Sequence, residues 1–123
     1  MNYQISQRFY FEAAHTLNRE FETDASRRVH GHTYHARISV KGMPDPSTGM
    51  VVDVALLRNA VERIKATLDH RLLDEVPGLG FPTLEGLCAY IAEHLSALAL
   101  PASSVEVWRE ASGDSCILDL ERV

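Results

Sequence analysis

Hydrophobic and polar positions alternate at both ends of the chain and recur at helical spacing in its middle. Over Tyr3–His15, Ile5, Phe9, Phe11, Ala13 and His15 share one parity, which predicts a strand with one buried face. Thr16–Val29 carries Asn18, Arg19, Glu20, Glu22, Asp24, Arg27 and Arg28 without a sustained period. It reads as a long polar loop, and long loops in compact domains are often functional. Alternation returns over His30–Lys41, with Tyr34, Ala36, Ile38 and Val40 opposite Thr33, His35, Arg37, Ser39 and Lys41. Gly42–Gly49, containing Pro44 and Pro46, has turn chemistry.

Asp53 is placed to cap a helix on which Leu57, Val61, Ile64 and Leu68 form one apolar face, ending near Asp69–Arg71. Pro77–Pro82 is a breaker. Thr83 then caps a second helix with Leu84, Leu87, Cys88, Ile91, Leu95 and Leu98 on its apolar side, stopping before Pro101. Val105–Glu110 and Cys116–Leu120 read as two short strands around a turn at Ser112–Ser115. The predicted order is β-β-α-α-β-β, an α+β fold in one domain spanning 1–123, with no internal repeat.

Composition narrows the class. The 123 residues are 46% hydrophobic and 24% charged, as in globular proteins. Twelve Lys and Arg against seventeen Asp and Glu give a net charge of -5, which argues against a broad nucleic-acid-binding face while allowing a local basic pocket. Cys88 and Cys116 have no metal-finger spacing and are too few for a disulfide framework, so a reducing compartment is expected. No apolar run approaches the length of a membrane span, and Met1–Arg8 lacks the pattern of a signal segment. The expectation is a cytoplasmic protein with no membrane partner.

The six histidines carry the candidate chemistry. Period two puts His30 and His32 on one strand face, with Gly31 between them, about 7 Å apart along the strand. An antiparallel hairpin closed by the Thr16–Val29 loop brings His15 beside both. Three neutral imidazoles without a thiolate suit zinc, and three protein ligands leave a fourth position for water or substrate. The plainer alternative is two polar residues near a loop. His35 on the opposite strand face and His94 on the polar side of the second helix read as solvated. His70, beside Asp69 near a helix C-terminus, reads by itself as an imidazolium answering the helix dipole.

Several segments, in order, resemble the 6-pyruvoyltetrahydropterin synthase / 6-carboxytetrahydropterin synthase family. They are Phe11-Glu12-Ala13-Ala14-His15, His30-Gly31-His32-Thr33-Tyr34, Gly49-Met50-Val51-Val52-Asp53, Leu68-Asp69-His70, Pro82-Thr83-Leu84-Glu85 and Glu110. The resemblance implies the tunnelling fold, or T-fold: a four-stranded antiparallel sheet with two helices on one face, assembling as a trimer or a hexamer of stacked trimers. It implies His15, His30 and His32 as zinc ligands and Asp69 with His70 as an acid–base pair. It also implies Glu110 as the carboxylate that anchors a pterin substrate, since two acceptor oxygens match two adjacent N–H donors. Strand alternation, however, groups Glu110 with Glu106 and Trp108, which asks for a bend or a site shared between subunits.

One position departs from the family. Its members usually carry a general-base cysteine four residues before the HGH motif, and here that position is Ser26. A serine hydroxyl does not ionise near neutral pH without an adjacent base. Asp24 or Glu22 in the same loop is an alternative base, and Arg27 and Arg28 are candidate contacts for a triphosphate. The activity implied is a zinc-dependent pterin lyase or synthase acting on 7,8-dihydroneopterin triphosphate, most like the 6-carboxytetrahydropterin synthases of queuosine biosynthesis. The alternatives are a different side-chain cleavage without the thiol, or a zinc- and pterin-binding protein without catalysis.

Overall fold

A computed structural model of the chain describes residues 2–18, 21, 24 and 27–121. Strand β1 (Tyr3–His15) and strand β2 (His30–Gly42) form a thirteen-residue antiparallel ladder that pairs Phe11 with Tyr34, Ala13 with His32 and His15 with His30. Helix α1 (Val54–Leu68) follows, then a two-residue strand β3 (Arg71–Leu72), a 3-10 turn at Leu73–Glu75 and helix α2 (Leu84–Ala97). Strands β4 (Ser104–Arg109) and β5 (Asp114–Asp119) close the chain as a hairpin.

Among the described residues, the sheet has five strands in the order β3-β1-β2-β4-β5, and β3 runs parallel to β1 through Ala13–Arg71 and Ala14–Leu72. This corrects the expected four-stranded, wholly antiparallel sheet. Two residues are too few to show a period of two in sequence, and only their docking beside β1 makes them a strand. The last hairpin is also displaced from the expected bounds, its turn falling at 110–113 rather than at Ser112–Ser115. Gly113, with φ +76, supplies the left-handed residue that this turn needs.

Both helices cover one face of the sheet. Phe9, Phe11, Tyr34, Ala36, Ile38, Val105 and Val107 meet Leu57, Ile64, Leu68, Leu87 and Ile91 in a single buried cluster. Asp53 caps α1 by accepting from Ala55 N–H at 2.9 Å, and Thr83 caps α2 by accepting from Gly86 N–H at 3.0 Å, as the sequence predicts. The other sheet face carries Tyr10, His35, Trp108, Arg37 and Glu106. There the His35 and Trp108 rings stack at 5.5 Å and the Arg37 guanidinium lies 5.3 Å from the indole. His35 therefore lies on the predicted face but is packed rather than solvated. His94 departs likewise: its Nδ1 is 3.0 Å from the Tyr90 carbonyl, and its ring packs on Tyr90. Cys88 is buried and directs its thiol at the carbonyls of Val105 and Cys116, in keeping with a small core residue.

Candidate functional site

His15 lies on the core-facing parity of β1 and is 1% exposed. The register of the long hairpin sets His30 directly opposite and His32 two residues along the same face. Their ring centroids are 4.5–5.0 Å apart, and one ligand nitrogen from each ring falls within 4.8 Å of the others. The parity argument thus brings the three imidazoles together as expected.

Backbone carbonyls set the tautomers. His15 Nδ1 is 2.7 Å from the Pro82 carbonyl, and His30 Nδ1 is 2.8 Å from the Arg28 carbonyl. A carbonyl only accepts, so each Nδ1 carries a proton, and in the neutral ring Nε2 is the nitrogen left to bind a metal. His15 Nε2 then faces His32 Nε2 at 3.0 Å. Burial, reinforced by neighbouring positive groups, lowers the pKa of His15 and brings that of His32 down to about 4, so both rings are neutral near pH 7. Burial also pushes the Tyr34 phenol, 3.4 Å from His15 Nδ1, up to about 12.

Two lone pairs at 3.0 Å repel unless a proton or a cation lies between them. Tetrahedral nitrogen ligands at about 2.0–2.1 Å from zinc stand roughly 3.3 Å apart, so this donor set fits a zinc ion. The Nδ1–carbonyl bonds are the second layer that orients metal-binding imidazoles.

The chain builds the Pro82 contact from its breaker segment. Thr83 begins α2, and the residues before it fold back over the helix's first turn. A Cβ on Gly86 would stand 1.9 Å from the Phe81 carbonyl oxygen, so only glycine admits that approach. On the other side of His15, Asp74 accepts from Thr16 N–H at 2.9 Å and from its hydroxyl at 2.5 Å. Burial works to raise the Asp74 pKa, but the Thr16 bonds outweigh it and hold the carboxyl below its usual range.

Asp69 and His70 form the turn that leaves α1. Asp69 Oδ1 accepts from Glu12 N–H at 2.9 Å, and His70 N–H donates to the Glu12 carbonyl at 2.6 Å. His70 adopts φ 59, a left-handed conformation usual for glycine at this helix position. Its ring is 76% exposed and lies 3.6 Å from Asp69 Oδ2. It lines a cavity of about 550 Å³ with Glu12, Thr33, Arg71 and His32, a member of the triplet. His15, Tyr34, Thr83, Glu85 and Arg109 line a different cavity of about 180 Å³. Among the described residues, no hydrogen bond or ring contact joins the Asp69–His70 pair to the imidazole triplet.

Glu110 follows the alternation of β4 and borders a third cavity, of about 320 Å³, with Trp108, Arg8 and Arg37. Its Oε1 accepts from the Trp108 indole N–H at 2.9 Å. Ser26 and Glu22 lie outside the described residues; Asp24 is exposed, and Arg27 bonds to Asn18.

The family model described as 6-pyruvoyl tetrahydropterin synthase matches residues 4–121. The chain belongs to this family. It is 36% identical over 109 residues to the 6-carboxy-5,6,7,8-tetrahydropterin synthase of Synechocystis sp., covering 84% of this chain and 83% of that protein. It is 31% identical over 95 residues to the dihydroneopterin monophosphate aldolase of Pyrococcus furiosus, covering 77% and 76%. The structure of Caenorhabditis elegans 6-pyruvoyl tetrahydropterin synthase superposes with a TM-score of 0.81 over 98% of this chain and 97% of that one, at 24% identity. The fold is thus the family's T-fold. Among the described residues, no helix is long and apolar enough to cross a membrane.

Sequence reasoning did not single out Arg109. Alternation sets it with Val105 and Val107, so its side chain turns to the imidazole side, where Nη1 stands 3.2 Å from His32 Nε2. That same parity was the signal that could have found it.

Proposed function

We propose that this chain is a cytoplasmic, zinc-dependent pterin lyase acting on 7,8-dihydroneopterin triphosphate, most like the 6-carboxytetrahydropterin synthases of queuosine biosynthesis. The observation that carries the reading is the convergence of His15, His30 and His32, with two tautomers set by backbone carbonyls, in a chain of this family. Zinc held by these three nitrogens would supply Lewis-acid polarisation of the substrate's side-chain oxygens.

The remaining roles belong to the chain's own groups. Glu110 receives the pterin's 2-amino and N3–H donors, with the Trp108 indole holding one carboxylate oxygen in place. Asp69 orients His70, and His70 moves protons at the side chain being cleaved. A left-handed non-glycine residue with an exposed ring is the kind of strained feature found at functional sites. Within one chain His70 shares a cavity with His32, whereas Glu110 borders another, and that second separation supports a trimer or a hexamer of trimers in which a neighbouring copy completes each site.

Ser26 favours a second reading. Without the family's thiol, a different cleavage of the pterin side chain, such as the aldol type named for the Pyrococcus furiosus relative, becomes the alternative; a zinc- and pterin-binding protein without turnover is the other. Incubating zinc-loaded protein with dihydroneopterin triphosphate and its monophosphate, followed by product analysis, decides among them. Formation of 6-carboxy-5,6,7,8-tetrahydropterin is expected. An aldehyde fragment with a hydroxymethylpterin would favour the aldol reading, and no product would favour the binder.

A further inference from the structure

Among the described residues, Arg109 alone borders both the cavity of His15 and Tyr34 and the cavity of Glu110 and Trp108. Its side chain is only 16% exposed. One terminal nitrogen, Nη2, is held by Asp114 Oδ2 at 2.6 Å, which fixes the guanidinium at the mouth of the β4–β5 hairpin. The other, Nη1, points at the neutral His32 Nε2, and the buried Nε has no partner among the described residues.

A buried guanidinium N–H without an acceptor is costly, and such groups in native structures call for an explanation. The His32 contact is a weak substitute, because the lone pair it uses is the one that a zinc ion claims. Metal binding therefore leaves Nη1 as well as Nε in need of an acceptor. Guanidinium forks match the spacing of carboxylate and phosphate oxygens. Asp114 already neutralises the Nη2 side of the guanidinium and Nε is buried away from any ligand, so Nη1 is the donor left for a molecule entering the cavities that Arg109 borders.

On the reading of the site as a pterin site, we infer that Arg109 is a specificity-determining residue: it receives an anionic oxygen, of a phosphate or a carboxylate, carried on the pterin side chain between the imidazole triplet and Glu110. Selectivity for an acidic side chain then comes from this chain's own β4. A neutral pterin would leave Nη1 without an acceptor and bind by its ring alone.

The test is fluorescence titration of the zinc-loaded protein with neopterin, neopterin monophosphate and 6-carboxypterin. The last two arms distinguish the source of the oxygen. Whichever anion Arg109 receives binds on the order of tenfold to a hundredfold more tightly than neopterin, the usual worth of a charge-assisted bond. Arg109→Gln removes that advantage and leaves neopterin affinity in place, and Arg109→Lys, with charge but no fork, recovers part of it. Each ratio is taken within one preparation, so it does not depend on the active fraction; should the Gln variant not fold, the Lys variant alone must show a reduced ratio. The inference is overturned if neither anionic ligand outbinds neopterin in the wild type, or if the advantage survives unchanged in the variants. Absence of any neopterin binding to the wild type would instead overturn the pterin reading, and the inference with it.

Discussion

The Nδ1–H of His15 donates to the backbone carbonyl of Pro82 across a separation of 67 residues, at 2.7 Å. This bond ties the end of the first strand to the residue before the second helix, and it decides which nitrogen of His15 is offered to a metal. The orientation of the imidazole triplet therefore depends on how α2 begins, although no residue of α2 belongs to the triplet.

The first prediction concerns metal content. Purified protein should contain one zinc per chain, and His32→Ala should lose it, since two imidazoles cannot complete the site. Metal analysis checks this; undiminished zinc in the variant would remove the triplet from its proposed role.

Gly86→Ala should act at a distance. The added Cβ would collide with the Phe81 carbonyl, displacing Phe81–Pro82 and with them the acceptor for His15. A stability loss of about 1–3 kcal/mol is expected from the overpacking, together with zinc binding weakened by roughly 10–100-fold as the supporting contact is lost. Thermal unfolding and chelator competition measure the two effects separately, and unchanged zinc affinity would show that Pro82 does not support the centre.

Glu110→Gln keeps the shape of the side chain but sets an amide donor against the pterin's own N–H groups. Pterin affinity should fall by on the order of tenfold or more, as expected where a charge-assisted bond is exchanged for an unpaired donor. Calorimetry giving equal affinities would return Glu110 to an exposed acid that accepts from the Trp108 indole.

Restoring the family's thiol tests the departure at position 26. If acid–base catalysis by the thiolate contributes its usual ~10²–10⁴-fold, Ser26→Cys should raise the rate of carboxytetrahydropterin formation. Full wild-type activity that Ser26→Cys does not increase and Ser26→Ala does not reduce would mean that the reaction runs through another base, for which Asp24→Asn and Glu22→Gln are the next variants.

Assembly is the fifth prediction. Among the described residues, β3 covers β1 only at Ala13 and Ala14, and β5 ends the sheet on the other side with Ile117 exposed. Open edges of this length ordinarily pair with something. Light scattering should find a trimer or a hexamer at micromolar concentration, and a stable monomer would contradict a site shared between copies.

The alternation of β1 and β2 was sufficient, in sequence alone, to put His15, His30 and His32 on one face, because strand parity is a local property with a period of two. The same rule placed Glu110 with Trp108 on the other face, and the caps Asp53 and Thr83 were legible because each acts within three residues of itself. What no local rule could supply was the set of contacts closed over long stretches of chain. Pro82 reaches His15 only because two helices fold over one sheet face. Arg109 reaches His32 across 77 residues only because β4 pairs beside β2. The two-residue β3 exists only where β1 offers it an edge. Periodicity specifies the face on which a side chain lies, whereas its partner on that face is decided by the packing of elements distant in sequence, and at this site those partners set the tautomers, the charge and the anion-binding donors.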